Sequence, residues 1–564
     1  MAKIRPYSFT ERAAVDGPDD APDVGDLSAY QILVIDHVAE MRTTIGMILA
    51  QFGANKVEYA NRSGEALGQM RRVSYDIVLC SYDLGTGFDG LYLFEEARRH
   101  GLLKASCVFI MFTGERQSAK VIGAAELSPD AIILQPFTGD VLYRRILRAL
   151  HKKLRFKPID DAMIAHDFLR AIQLCNLAIS TADSDDSVDF MQMKVHLLMR
   201  IGDWKTARNF AREVLAEFDF PWAKMALAKA LLQLKEYDEA ELLFRQVMTE
   251  HELILAAYDG LAQTQEAKHD IAAAKHTLQE ASRRSPYVVA RMRELGEVAI
   301  LAGDLPLAEQ SLAESVRLAR FSFWPQVSDY AALSEVQLLR GDVAAAKATA
   351  DSLRKDFRAS HDRVLADVVD ANIAVKQGDT HKAQTLLDEA LRAAQLSNEA
   401  PSLALGLALT QACLAQHRHL EAEDLTRALL KNRHDDPKLA ATVTRLFQAQ
   451  GRESDALRLI ESTAADIVQL NNEAVQLAQA GDLTAAAERF LAAVQEMPNN
   501  LQVLLNTVNA LLALVNQQGW HGSYMQQAGD LLTRINTLDP TLGRGLQLAE
   551  IYRKTLRRFG AGKG

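Results

Sequence analysis

Four cysteines, two closely spaced histidines and a glycine-rich stretch are the residues of this 564-residue chain whose chemistry would be easiest to recognise. None completes a reactive motif. Cys80, Cys107, Cys175 and Cys413 are too scattered for a disulfide framework or for the CxxC spacing of a zinc site. They are expected to be reduced thiols packed as small apolar groups. His417 and His419 lie two residues apart, too close to share a helical face, and read as a solvated turn. Gly85, Gly87 and Gly90 lack the following GKS or GKT that a phosphate loop needs. With no nucleophilic triad, no carboxylate pair suited to acid–base work and no zinc spacing, the sequence predicts no catalytic residue, no metal site and no cofactor. Trp204, Trp222 and Trp324 read as packing residues of helices, with peptide-stacking anchors on the solenoid as the alternative, and Arg553, Lys554, Arg557 and Arg558 as a basic helix end that complements the helix dipole, with an anionic docking site as the alternative.

The elements that position these residues change character along the chain. Residues 1–28 hold Asp16, Asp19, Asp20, Asp23 and Asp26 among Gly and Pro with few large apolar groups, which predicts a disordered acidic arm. Over residues 29–153, short apolar runs at 32–35 (ILVI), 57–60, 76–80 (DIVLC), 108–112 (VFIMF) and 131–134 (AIIL) alternate with helical periods at 40–51, 64–72, 90–100, 118–126 and 140–153. Continuous apolarity fits strands covered on both faces. Five strands alternating with five helices predict a doubly wound parallel α/β sheet, whose functional site lies at the carboxyl ends of the strands.

This segment resembles the receiver domain of two-component response regulators, which has a flavodoxin-like fold. The resemblance rests on QILVIDHVAEMR, YDIVLCSYDLGTGFDG, FIMFTGE and AIILQPF, in order and properly spaced. It implies a site made of an acidic pair that binds Mg²⁺, an acceptor Asp, a Thr or Ser, and a Lys before Pro-Phe. In this chain the acidic pair is Asp36-His37, the acceptor slot five residues beyond Asp76 is Ser81, Thr113 is retained and the lysine slot is Gln135. The aromatic residue that many receivers carry three places before the Lys is Ile132. Imidazole is a poor ligand for a hard cation, and a serine hydroxyl would form a stable ester rather than a labile acyl phosphate. Losing two anions and one cation together avoids leaving an unpaired, partly buried charge. A degenerate pseudo-receiver is expected. The loop from Ser81 to Asp89-Gly90 is one residue longer than the common family spacing, so a shifted register would put Asp83 in the acceptor slot.

The remainder carries a recurring mark, a small or polar residue with Ala five positions later. It occurs at Gly202/Ala207, Lys235/Ala240, Lys268/Ala273, Gly303/Ala308, Gly341/Ala346, Gly378/Ala383, His417/Ala422, Gly451/Ala456 and Gly481/Ala486, at intervals of 30 to 39 residues. Turns at this period between apolar-periodic segments resemble the tetratricopeptide (TPR) repeat and predict an all-α solenoid of stacked hairpins. Residues 154–200 are expected to form a helical bridge and first hairpin, and 201–560 the repeats.

A net charge of -10 argues against binding nucleic acid. The most apolar late segment, 501–515, contains Gln502, Asn506, Thr507 and Asn509, so it predicts a repeat helix and no membrane insertion. The scattered cysteines and the lack of a signal-peptide pattern make a cytoplasmic location the expectation. The expected function is a non-enzymatic signalling adaptor, in which a phosphorylation-independent receiver docks or homodimerises and the TPR groove, lined by the first helix of each hairpin, holds a protein partner. The alternative is a phosphorylation-responsive response regulator that uses Asp83 and acts through TPR-mediated protein binding.

Overall fold

The computed structural model describes residues 26–559 apart from 86–88, 115–128, 166, 182–183, 253, 287, 320–325, 358–359, 397–401 and 540–541. The helix expected at 118–126, Trp324 and nearly all of the acidic arm lie outside the described residues. Residues 26–28, assigned by composition to that arm, belong to the fold. Leu27 is fully buried and its N–H donates to the Phe52 carbonyl at 2.9 Å, so one apolar side chain anchors the end of an otherwise polar segment.

Five parallel strands, β1 (Ile32–Ile35), β2 (Val57–Ala60), β3 (Ile77–Ser81), β4 (Val108–Thr113) and β5 (Ala131–Leu134), form one sheet in the order β2-β1-β3-β4-β5. Helices α1 (Ala39–Gln51), α2 (Ser63–Met70), α3 (Gly90–Arg99) and α4 (Gly139–Leu154) connect or follow them. The apolar runs of β1, β3 and β4 are fully buried because both faces are covered. Leu33, Val78, Phe94 and Phe109 pack on one face, and Ile32, Ile45, Ile110 and Ile146 on the other.

The bridge contains α5 (Lys157–Ile164) and α6 (Phe168–Thr181), and α5 is bonded to the sheet module. Asp160, 4% exposed, accepts the N–H groups of Ala105 at 2.8 Å and Ser106 at 2.7 Å. Lys153 of α4 donates to the Ala105 carbonyl at 3.0 Å and pairs with Asp130 at 3.1 Å. Phe156 stacks on Phe190 of the helix Ser184–Arg200, with ring centroids 4.5 Å apart.

Helical hairpins follow as far as Arg558. Their turns explain the recurring mark. The residue at the mark has φ between +59° and +87° at Gly202, Lys235, Gly303, Gly341, Gly378, His417, Gly451 and Gly481, so it is the left-handed end of a first helix. In the remaining unit the left-handed residue is His269, and the mark moves by one to His269/Ala274. His269 has φ +62° and Ala274 is fully buried. Where the residue after the left-handed one is Asp, it does two jobs. In the Gly341 turn, the Asp342 N–H reaches back to the Gln337 carbonyl at 2.9 Å, while its carboxylate accepts the Ala345 N–H at 2.9 Å and caps the next helix. The alanine five positions on is at most 1% exposed in every unit, because the helix packs closely there. The shortest interval, Gly451 to Gly481, contains one 27-residue helix, Glu453–Gln479. No Gly or Pro interrupts that stretch, so the second helix of one hairpin runs straight into the first of the next.

The chain divides into two compact units. One contains the sheet module and the repeats to residue 291, and the other most of the chain from residue 292 onward.

Candidate functional site

Asp36, Ser81, Thr113 and Gln135 all sit at the carboxyl ends of the parallel strands. Asp36 directly follows β1, Ser81 ends β3 opposite Phe112, Thr113 ends β4, and Gln135 follows β5 with its N–H on the Thr113 carbonyl at 2.9 Å. Asp36, Ser81 and Thr113 are 3%, 7% and 5% exposed. The Asp36 carboxylate accepts the Val38 N–H at 2.8 Å and a hydrogen bond from the Ser81 side chain. Arg42 of α1 donates to the Asp36 backbone carbonyl at 2.6 Å. Burial raises the Asp36 carboxyl above its ordinary value, against those hydrogen bonds and the nearby His37 and Arg42. At Gly114 an added Cβ would lie 4.0 Å from the Gln135 amide oxygen, so Gln135 leans toward the end of β4. The Gln135–Pro136 bond is cis.

His37 and Asp83 are brought together through backbone rather than through the Asp83 carboxylate. His37 Nδ1 is 3.0 Å from the Asp83 carbonyl oxygen and 3.8 Å from Asp36 Oδ1. The Asp83 carboxylate accepts the Gly85 N–H at 2.8 Å in an exposed turn. Gly85 has φ +76°, and a Cβ there would come within 3.0 Å of the His37 ring, so both backbone and packing require glycine.

One charged residue of the pocket escaped the sequence reasoning. Asp89 caps α3, accepting the Tyr92 N–H at 2.8 Å, and burial raises its carboxyl above the ordinary range. The legible signal was an Asp immediately before a helix start. It approaches β3 because of Gly90, where a Cβ would lie 2.4 Å from the Ser81 carbonyl oxygen. Cys80 is buried beside it, and burial pushes its thiol well up, as it does the thiol of Cys107, to about 12. All four cysteines are buried and unbridged, which makes them inert packing groups.

The donor set fits Mg²⁺ poorly. That ion demands near-octahedral oxygen ligands, whereas Asp36 already serves Val38 and Ser81, the neighbouring side chain is an imidazole, and Asp83 is turned into its own loop. Among the described residues no group of three His, Cys, Asp or Glu side chains could hold a metal ion.

Residues 32–147 match the family model of the response regulator receiver domain, and residues 193–250 and 260–323 that of the tetratricopeptide repeat. The chain therefore joins a receiver domain to TPR repeats, two kinds of domain that are generally non-catalytic. Over 116 residues it is 27% identical to the chemotaxis protein CheY-3 of Vibrio cholerae, covering 21% of this chain and 88% of that protein. It is likewise 27% identical to the chemotaxis protein CheY of Pseudomonas aeruginosa, covering 21% of this chain and 92% of that one. The C-terminal part of a TPR protein from Cytophaga hutchinsonii aligns with a TM-score of 0.33 at 13% identity, over 48% of this chain and 98% of its own. A TPR protein from Parabacteroides merdae aligns with a TM-score of 0.31 at 11% identity, over 46% and 98%. No described helix is long and apolar enough to cross a membrane.

Proposed function

We propose that this chain is a cytoplasmic signalling adaptor in which the receiver carries no phosphoryl chemistry and the TPR array holds a protein partner. In this reading Ser81 stands in the acceptor slot, His37 replaces the second metal carboxylate and Gln135 replaces the lysine. One observation carries it: Ser81 ends β3 within reach of Asp36, while the Asp83 carboxylate is occupied by the Gly85 N–H two residues on. Transfer to a carboxylate needs that oxygen aimed at the phosphorus, with Mg²⁺ and a cation to neutralise the charge that develops. An amide at position 135 supplies no charge, and His37 spends its Nδ1 on a backbone carbonyl. The receiver then acts by contact, either with another protein or with a second copy of itself.

The test is incubation of the full chain with acetyl phosphate and Mg²⁺, followed by intact-mass measurement. The expected spectrum has no +80 Da species sensitive to hydroxylamine. A hydroxylamine-labile adduct that disappears in Asp83→Asn would establish the rival reading, a phosphorylation-responsive regulator using Asp83.

A further inference from the structure

In a stacked-repeat protein each hairpin normally touches only its neighbours in sequence. The second compact unit departs from this on the side of its first helices. The helices Val289–Leu301, Val327–Leu339 and Pro437–Gln448 each lead into one of the recurring turns, at Gly303, Gly341 and Gly451, so the last is four repeats beyond the first and three beyond the second. Yet Arg445 lies 2.9 Å from Glu335, and Lys438 lies 3.8 Å from both Glu294 and Glu297. These pairs span 110 to 144 residues of sequence. First helices so far apart along the array meet only if the wall they line closes on itself.

The Pro437–Gln448 helix is built for two faces. Leu439, Val443, Leu446 and Phe447, none more than 6% exposed, belong to the repeat core. Lys438 and Arg445, seven residues apart, share the other side. Arg445 is 25% exposed and Glu335 18%, so their ion pair is half-screened from water. Separating them would strand a carboxylate in a poorly hydrated place.

We infer that the Pro437–Gln448 helix is an ion-paired strap across the first-helix wall of the second unit, which closes that wall in the free chain and must release for a partner to enter. This rests on the reading that the wall receives a protein. Because the strap is held by charged, partly exposed groups, salt loosens it. Its apolar face keeps the helix folded when the polar face is altered.

The experiment is hydrogen exchange on the full chain, comparing the parent with Glu335→Arg, Arg445→Glu and the double exchange of both charges. The single variants are expected to exchange about tenfold faster over 289–301 and 327–339. The double variant should return to the parent rate, and 1 M NaCl should accelerate the parent but not Arg445→Glu. Unchanged exchange in both single variants, or no recovery in the double, overturns the strap whatever the protein binds. The reading beneath it is tested separately by partner recovery from the native cytoplasm. If Arg445→Glu accelerates exchange and yet recovers no more protein than the parent, the strap stands and docking in this wall fails.

Discussion

Asp36 and Asp89 are carboxyls held at the carboxyl edge of the sheet by short hydrogen bonds, but burial is the larger influence and raises both above the ordinary range. The native state therefore keeps their protons to a higher pH than the unfolded chain does. Stability falls as pH climbs from the ordinary carboxylate range, about 4, through the raised native values. Asp36→Asn and Asp89→Asn keep an oxygen for the Val38 and Tyr92 N–H groups and remove the titration. Each should melt higher than the parent at pH 7, with the gap closing below about pH 4. Thermal melts across that range check it, and a gap that does not depend on pH would mean that these carboxyls titrate normally. At this scale the sequence was partly legible. The strand-end positions of Asp36, Ser81, Thr113 and Gln135 follow from where apolar runs stop. The turn that folds Asp83 onto Gly85 and the seating of His37 over it depend on backbone torsions that no spacing reveals.

The central strands β1, β3 and β4 were the most legible elements, because a short apolar run buried on both faces has few alternatives. The recurring mark was equally plain, and its physical basis is a single left-handed residue, followed in most units by an Asp that caps the next helix. Where that residue is not glycine the chain carries local strain. At exposed Lys235, φ is +63°. Lys235→Gly relieves a left-handed penalty of about 1–2 kcal/mol and forfeits some backbone entropy, so the net gain expected in urea unfolding is about 0.5–1 kcal/mol. Loss of stability would show that the lysine side chain makes contacts worth more than the strain. The junction between receiver and repeats was not legible. Nothing in the spacing of Asp160 announces that its carboxylate will gather the Ala105 and Ser106 amides some 55 residues earlier in the chain. Asp160→Ala leaves two sheltered N–H groups without their acceptor, which should cost about 1–3 kcal/mol and raise exchange at those two amides. If both amides stay protected, the attachment of α5 does not depend on this carboxylate.

For the molecule as a whole, the period near 34 residues predicted the architecture, whereas the long ion pairs within the second unit depend on the curvature of the stack. That curvature accumulates from small rotations per hairpin and leaves no sequence pattern. The separation of the hydrophobic cores has a consequence for how the chain loses structure. The sheet module buries its strands between its own helices, while Leu409, fully buried, lies in the repeat core that runs from Ala299 to Leu459. Leu409→Ala removes a large buried side chain and should cost about 2–5 kcal/mol where the cavity forms. Leu409 shares one continuous core with the helices between Ala299 and Leu459, and ion pairs join helices several repeats apart, so amide protection should drop throughout the helices of that core rather than only in the hairpins nearest residue 409. Protection in β1, β3 and β4 should stay at the parent level. Hydrogen exchange resolved by peptide would distinguish this from the opposite result, an equal loss over the strands and the repeats, which would mean that the chain opens as a single cooperative body.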